Sequence, residues 1–238
     1  MKRDLLDRLI EARAARRPAA LLTNLETGEQ HLFLPVDGPT ETTVATDLAA
    51  AAEKALAHDR SASFDMATGR TFIHVHNPPP RMIVVGAVHI AQPLVRMATL
   101  AGYAVTVIDP RRAFASAERF PDVAVSRDWP DAAMRALAPD SRTAVVTLTH
   151  DPKLDDPALD VALRSPAFYI GSLGSARTHA KRCARLVELG HDDEAIARIH
   201  GPIGLSIGAR SPAEIAVSIM AEITQIRRRG TVRSETKA

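Results

Sequence analysis

Residues 81–112 read RMIVVGAVHIAQPLVRMATLAGYAVTVIDPRR, and this stretch decides the fold. It opens with the apolar run 82–85 and passes directly into Gly86-Ala87-Val88-His89-Ile90-Ala91. A helical pattern over 91–101 follows, then a second apolar run, 104–108, that ends in Asp109. Short, nearly continuous apolar runs, broken here only by Thr106, fit strands covered by helices on both faces of a parallel sheet. Strand, glycine turn, helix, strand and acid is the order of a dinucleotide-binding unit. In such a unit the turn seats a pyrophosphate on the helix N-terminus, and the acid, about twenty residues on, binds ribose hydroxyls. The glycine pattern itself is incomplete. Only Gly86, Ala87 and Ala91 are small, Val88 stands where backbone would approach a pyrophosphate, and His89 is bulky at the helix start. Two readings stay open: a turn that binds a dinucleotide, and a Rossmann-like turn that no longer does. Arg111 and Arg112 after Asp109 leave the choice between NAD and NADP open, because an arginine there can hold a 2′-phosphate.

The same alternation continues downstream. Strands are predicted at 123–125, 143–148 and 168–170, and helices at 130–137, 156–163, 178–189 and 212–228. The expected fold is therefore α/β: a Rossmann-like, doubly wound parallel sheet over residues 81–230, with the polar stretch 231–238 as a flexible tail. Upstream, Asn77-Pro78-Pro79-Pro80 is a stiff, extended spacer and marks a domain boundary. Residues 1–77 read as a smaller N-terminal α+β domain. Leu5, Leu6, Leu9 and Ile10 give helix spacing over 4–16, and an alanine-rich helix is predicted at 47–57. Strand pairs flank Glu26-Thr27-Gly28 (20–24 with 30–34) and Ala67-Thr68-Gly69 (64–66 with 71–76).

Composition narrows the function classes. Hydrophobic residues make up 46% and aromatics only 4%, so aliphatic side chains must fill the cores. A formal charge of +2 gives no electrostatic case for nucleic acid. Cys183 is the single cysteine, which excludes an internal disulfide and suits a reducing compartment. The first seventeen residues, MKRDLLDRLIEARAARR, lack the apolar core of a signal peptide, and no stretch is long and apolar enough for a membrane span. The expectation is a cytoplasmic protein without membrane contact.

Three further segments carry candidate chemistry. Leu148-Thr149-His150-Asp151-Pro152 lies at a strand end, where open α/β sheets bind ligands. There His150 is a candidate anion donor or proton relay, and Asp151 orients it or caps the next helix. Tyr169-Ile170-Gly171-Ser172-Leu173-Gly174-Ser175-Ala176-Arg177-Thr178 runs from strand through a Gly/Ser loop into a helix. Gly171, Gly174, Ser175 and Arg177 are its candidate anion ligands; the alternative is a tight turn that needs glycine for backbone reasons. The stretch from His200 to Arg210 holds Gly201, Gly204 and Gly208, a loop that either closes over a ligand or packs as a connector. Ser211-Pro212-Ala213-Glu214 then reads as an N-cap, a proline at N1 and a capping-box Glu. His74 and His76 share a strand face without a third metal ligand in view, and Arg227-Arg228-Arg229 suits a helix C-terminus.

The segments GAVHIAQPL, VTVIDPR, RFPD, TLTHDPKLDDPAL, YIGSLGSARTHAKR and RIHGPIGLSIGARSPAEIAVSIMAEI together resemble the C-terminal domain of the XdhC/CoxF family, the xanthine dehydrogenase accessory proteins, over about residues 81–226. The resemblance implies a Rossmann-like domain behind a smaller N-terminal one. It implies a maturation factor, a cofactor chaperone without catalysis of its own, that binds the molybdenum cofactor (molybdopterin). Such a factor helps the cofactor acquire its terminal sulfur and passes it to the apoenzyme of a molybdenum hydroxylase such as xanthine dehydrogenase or carbon monoxide dehydrogenase. A homodimer, a hydroxylase apoenzyme and a sulfur donor such as a cysteine desulfurase are the implied partners. On this reading the cofactor-binding residues are Gly86, Ala87, His89, Asp109, Arg111, His150, Asp151, Gly171, Gly174, Ser175, Arg177, His200 and Gly204, with NAD(P) as the competing ligand. Many members carry a cysteine in a glycine-rich N-terminal motif; this sequence has none before Cys183. The alternatives are an NAD(P)-dependent oxidoreductase with His150 as proton donor, which Val88 opposes, and a nucleotide-sensing regulatory module, which would not need the three later loops.

Overall fold

The computed structural model describes residues 2–35, 45–116 and 118–232. The chain divides into two compact units, Met1–Pro78 and Pro79–Ala238.

The first unit contains α1 (Arg3–Ala14), β1 (Ala19–Asn24), β2 (Gln30–Phe33), α2 (Thr46–His58), β3 (Ala62–Met66) and β4 (Gly69–His76). Its four strands form an antiparallel sheet in the order β2-β1-β4-β3. Successive strand residues face opposite sides, and the packing follows that rule. Ala20, Leu22, Phe33 and Ile73 pack with Ala52, Ala55 and Leu56 of α2, while Ala19 and Leu32 pack with Leu9 and Ala12 of α1. One helix therefore covers each face of this small sheet.

The second unit runs β5 (Arg81–Val85), α3 (Ala91–Leu100), β6 (Ala104–Ile108), β7 (Ala124–Ser126), α4 (Pro130–Leu137), β8 (Thr143–Thr147), α5 (Pro152–Leu163), β9 (Tyr169–Ser172), α6 (Ala176–Glu188), the single turn α7 (Asp193–Ile196), β10 (Ile199–His200) and α8 (Pro212–Val232). All five strand pairings are parallel, in the order β10-β9-β8-β5-β6-β7. Counted from β5 as the first strand, this is the 3-2-1-4-5-6 order of the doubly wound dinucleotide fold. The alternation on β5 explains why its run 82–85 is apolar throughout. Met82 and Val84 pack with Leu94, Val95 and Ala98 of α3 and Ile219 and Ile223 of α8; Ile83 and Val85 pack with Met134 of α4 and Leu159 of α5.

The α/β fold and the extra small sheet agree with the sequence reading, and the differences are local. The helix predicted from 156 begins at Pro152, because Asp151 is its N-cap, accepting from the Lys153 N–H, and Pro152 occupies N1. Pro157 lies inside that helix. The strand predicted at 168–170 runs through Ser172, and α7 and β10 are too short to leave a periodic signal. Thr231 and Val232 belong to α8; the rest of the stretch read as a flexible tail, 233–238, lies outside the described residues.

Candidate functional site

Parallel pairing brings the C-terminal ends of the strands to one edge of the sheet. The residues that leave them are Gly86 after β5, Asp109 after β6, Leu148-Thr149-His150 after β8, Leu173-Gly174 after β9 and Gly201 after β10. From β5 the chain passes into α3 on one face; from the neighbouring β8 it passes into α5 on the other. The crevice at that divergence is where open α/β sheets bind ligands.

The β5 turn is held from β6. The N–H of Ala87 donates to Asp109 Oδ2 at 2.8 Å. Arg111 donates through its own N–H and through Nε to Oδ1, at 3.0 and 2.9 Å, and through Nη2 to Oδ2 at 2.8 Å. Asp109 is fully buried. Burial pushes its carboxyl up, but the Arg111 side-chain bonds, the Ala87 and Arg111 N–H groups and the guanidinium charge outweigh that and hold it below the ordinary range. The Arg111 guanidinium also lies over the Phe114 ring, 4.4 Å from its centroid. The residue read from the sequence as the ribose acid thus spends both oxygens inside the protein. Gly86 has φ +105°, and a Cβ there would collide with the Thr149 side chain. Its glycine serves the close approach of the β5 and β8 loops as well as the turn. Ala87 is buried, and His89 is exposed in the turn before α3.

The β8 loop is built around Asp155, on the first turns of α5. Asp155 Oδ1 accepts from Thr149 Oγ1 at 2.7 Å and from the Thr149 N–H at 3.3 Å, and Oδ2 accepts from the His150 N–H at 3.0 Å. These bonds hold His150 at φ +62°, uncommon for a residue with a Cβ, with its side chain exposed. Asp151 caps α5, the second of the two roles the sequence left open for it.

After β9, Gly174 has φ +149°, and a Cβ there would lie 3.2 Å from Thr178. Ser175 is the N-cap of α6 and accepts from the Thr178 N–H at 3.2 Å. Arg177, in the first turn of α6, is exposed. Gly171 serves packing within its strand, because a Cβ there would run into Ile203 and Tyr169. The β10 loop is tied to α8 through Glu222. Its Oε2 accepts from the Tyr169 hydroxyl at 2.6 Å and from the Gly204 N–H at 2.8 Å, while His200 Nδ1 lies 3.3 Å from Oε1. Tyr169 and His200 stack with ring centroids 4.8 Å apart. Burial, with Glu222 beside it, pushes the Tyr169 hydroxyl up, so it remains a donor.

The structure therefore brings Gly86, Ala87, Asp109, Arg111, His150 and Asp151 to adjoining strand ends, and Gly174, Ser175 and Arg177 to the next one. His200 and Gly204 join a separate network with Tyr169 and Glu222. Sequence reasoning missed Asp155, Glu222 and Arg182. Arg182 stands one helical turn before Leu186, and these two are the buried residues of α6.

Comparison with known proteins agrees with this architecture. The family model described as the XdhC Rossmann domain matches residues 82–223. A probable xanthine dehydrogenase subunit from Bacillus subtilis is 34% identical over 170 residues, which are 71% of this chain and 49% of that protein. The molybdenum cofactor insertion chaperone PaoD of Escherichia coli is 40% identical over 88 residues, 37% of this chain and 28% of PaoD. The crystal structure of a xanthine dehydrogenase from Bacillus halodurans superposes with a TM-score of 0.74 at 26% identity, covering 99% of this chain and 70% of that one. The chain thus spans half or less of the length of these two curated relatives. With the family model matching more than half of its residues, the chain belongs to the XdhC Rossmann-domain family.

Proposed function

We propose that this protein is a maturation factor that takes up the molybdenum cofactor as cargo and hands it to the apoenzyme of a molybdenum hydroxylase, assisting its sulfuration or its insertion. The observation that carries the reading is the inward turn of Asp109. A nicotinamide enzyme of this fold keeps the acid after its second strand free for a ribose. Here that acid is buried and accepts from Ala87 and Arg111. The strand-end edge keeps its basic and hydrogen-bonding groups on the later loops, with Arg177 and His150 exposed beside the Gly174-Ser175 turn. The name of PaoD, an insertion chaperone that shares 40% identity over 88 residues, supports the same reading.

In this role the chain's own groups bind and orient. Backbone N–H groups at the start of α6 and the Arg177 guanidinium attract the anionic part of the cargo, and the buried carboxylates Asp109 and Asp155 fix the neighbouring β5 and β8 loops. A homodimer, a hydroxylase apoenzyme and a sulfur-donating cysteine desulfurase complete the proposal. The test is anaerobic incubation of the purified protein with molybdenum cofactor and, in parallel, with NAD, NADH, NADP and NADPH. Gel filtration and transfer to a cofactor-free hydroxylase follow. Retention of molybdenum cofactor with activation of the hydroxylase is expected. Binding of a nicotinamide nucleotide alone would sink the maturation reading in favour of a redox or sensing role.

A further inference from the structure

A cavity of about 340 Å³ opens between the first turns of α5 and α6. Four cationic side chains line it, Arg177, Lys181, Arg182 and Arg185, with two carboxylates, Asp155 and Asp156. The carboxylates are already engaged. Asp156 is held by Arg185 through Nε and Nη2, and Asp155 carries the Thr149 and His150 bonds of the β8 loop. The side chains of Arg177 and Lys181 make no ion pair among the described residues. Positive charge is therefore left over in the cavity.

Arg182 sets this cavity apart from an ordinary basic surface. Its side chain is only 2% exposed, yet its Nη2 donates to the Leu173 carbonyl at 2.9 Å and lies 3.8 Å from Asp155. Among the described residues, Nε and Nη1 have no hydrogen-bond partner. A buried guanidinium with unpaired N–H groups is strongly disfavoured unless something supplies acceptors. Burial pushes its pKa down from the ordinary arginine value, opposed by the attraction of Asp155 and Asp156, yet an arginine stays protonated.

From this geometry we infer a phosphate pocket between α5 and α6. A phosphate group entering the cavity provides the acceptors that Arg182 Nε and Nη1 lack, with Lys181 and Arg177 neutralising its remaining charge. Phosphate fits better than a carboxylate. It offers acceptors in several directions and two negative charges, which matches one fork-shaped donor and two separate cations. The group is either free inorganic phosphate or the terminal phosphate of a larger ligand. The pocket shares Arg177 and the start of α6 with the proposed cargo site and in that respect rests on the maturation reading, but its affinity for phosphate is measured without molybdenum cofactor or hydroxylase, so the two can fail separately.

The experiment is isothermal titration of the full chain with inorganic phosphate and with glycerol 3-phosphate at low ionic strength. It is run for the wild type and for Arg177→Ala, Lys181→Ala and Arg182→Met. Saturable phosphate binding is expected, weakened at least about tenfold in Arg182→Met and several-fold in each surface variant. Tighter binding of the ester than of phosphate identifies the terminal phosphate of a larger ligand as the source; the reverse order identifies free phosphate. Absence of binding to the wild type overturns the pocket. So does unchanged affinity in the two surface variants, which keep the fold whatever Arg182→Met does to it.

Discussion

The N–H of Ala87 donates to the carboxylate of Asp109 at 2.8 Å, so the acid that follows β6 holds the turn that follows β5. Asp109→Asn keeps the shape but puts an amide N–H₂ where one oxygen now accepts from Arg111 or Ala87, and it removes the charge that Arg111 embraces through Nε and Nη2. The variant is expected to lose about 2–4 kcal/mol of stability, the range for breaking a buried, charge-assisted pair. Urea unfolding measures it. A loss below about 0.5 kcal/mol would mean that the turn does not depend on this contact.

Acid dependence separates Asp109 from Asp155. The Asp109 carboxyl is depressed: burial raises it, and the Arg111 and Ala87 bonds with the guanidinium charge more than reverse that. A depressed carboxyl contributes stability above the ordinary carboxylate pKa of about 3.9 and loses it as pH falls through the lower folded-state value. Asp155 is raised by burial, despite its bonds from Thr149 and His150 and the nearby Arg182. Its contribution is present below the ordinary value and is withdrawn as pH rises through the higher folded-state value. The stability difference between wild type and Asp109→Asn should therefore shrink below about pH 4. A difference that stays constant from neutral pH to acid would contradict the depressed carboxyl.

How far the sequence reached can be seen at three residues. Gly86 and its flanking apolar runs were legible because strand, turn and helix leave local periodic signals, and the parallel order of the sheet followed from their alternation. Asp109 was legible as a residue of the site but not in its orientation. Whether the acid faces a ligand or the neighbouring turn depends on how Pro110 and Arg111 fold back, which spacing does not report. Arg182 was not legible as a buried charge. A cation among Lys181, Arg185 and Arg177 reads as part of a solvated helix face, and only the packing of α6 against α5 and the β9 loop takes it out of water.

The approach of the β5 and β8 loops gives a test by substitution and rescue. Gly86→Ala meets both a left-handed backbone at φ +105° and the Thr149 methyl, with the Thr149 N 3.3 Å from the new Cβ. Strain and overpacking together are expected to cost about 2–4 kcal/mol. Thr149→Ser deletes the methyl and keeps the hydroxyl that donates to Asp155 at 2.7 Å. The double variant should recover about 1 kcal/mol or more relative to Gly86→Ala, leaving the backbone part. A double-mutant cycle from chemical denaturation reads the coupling, and zero coupling would show that the methyl is not what Gly86 accommodates.

Glu222 supplies the last test, because one carboxylate on α8 holds β9 and the loop after β10. Its Oε2 accepts from the Tyr169 hydroxyl and the Gly204 N–H, and His200 Nδ1 lies beside Oε1. Tyr169→Phe removes a single donor to a charged acceptor that keeps its Gly204 bond, so a loss of about 1.5–3 kcal/mol is expected. Glu222→Leu leaves the buried Tyr169 hydroxyl and the Gly204 N–H without their acceptor, so its loss should be larger, about 3–5 kcal/mol. The two changes cannot add if they act on one contact. In the Glu222→Leu background, Tyr169→Phe should cost almost nothing or restore stability, because it deletes a hydroxyl that has already lost its partner. Hydrogen exchange at the Gly204 amide should accelerate in Glu222→Leu and stay slow in Tyr169→Phe. If both variants release that amide equally, the loop is held by something other than the carboxylate.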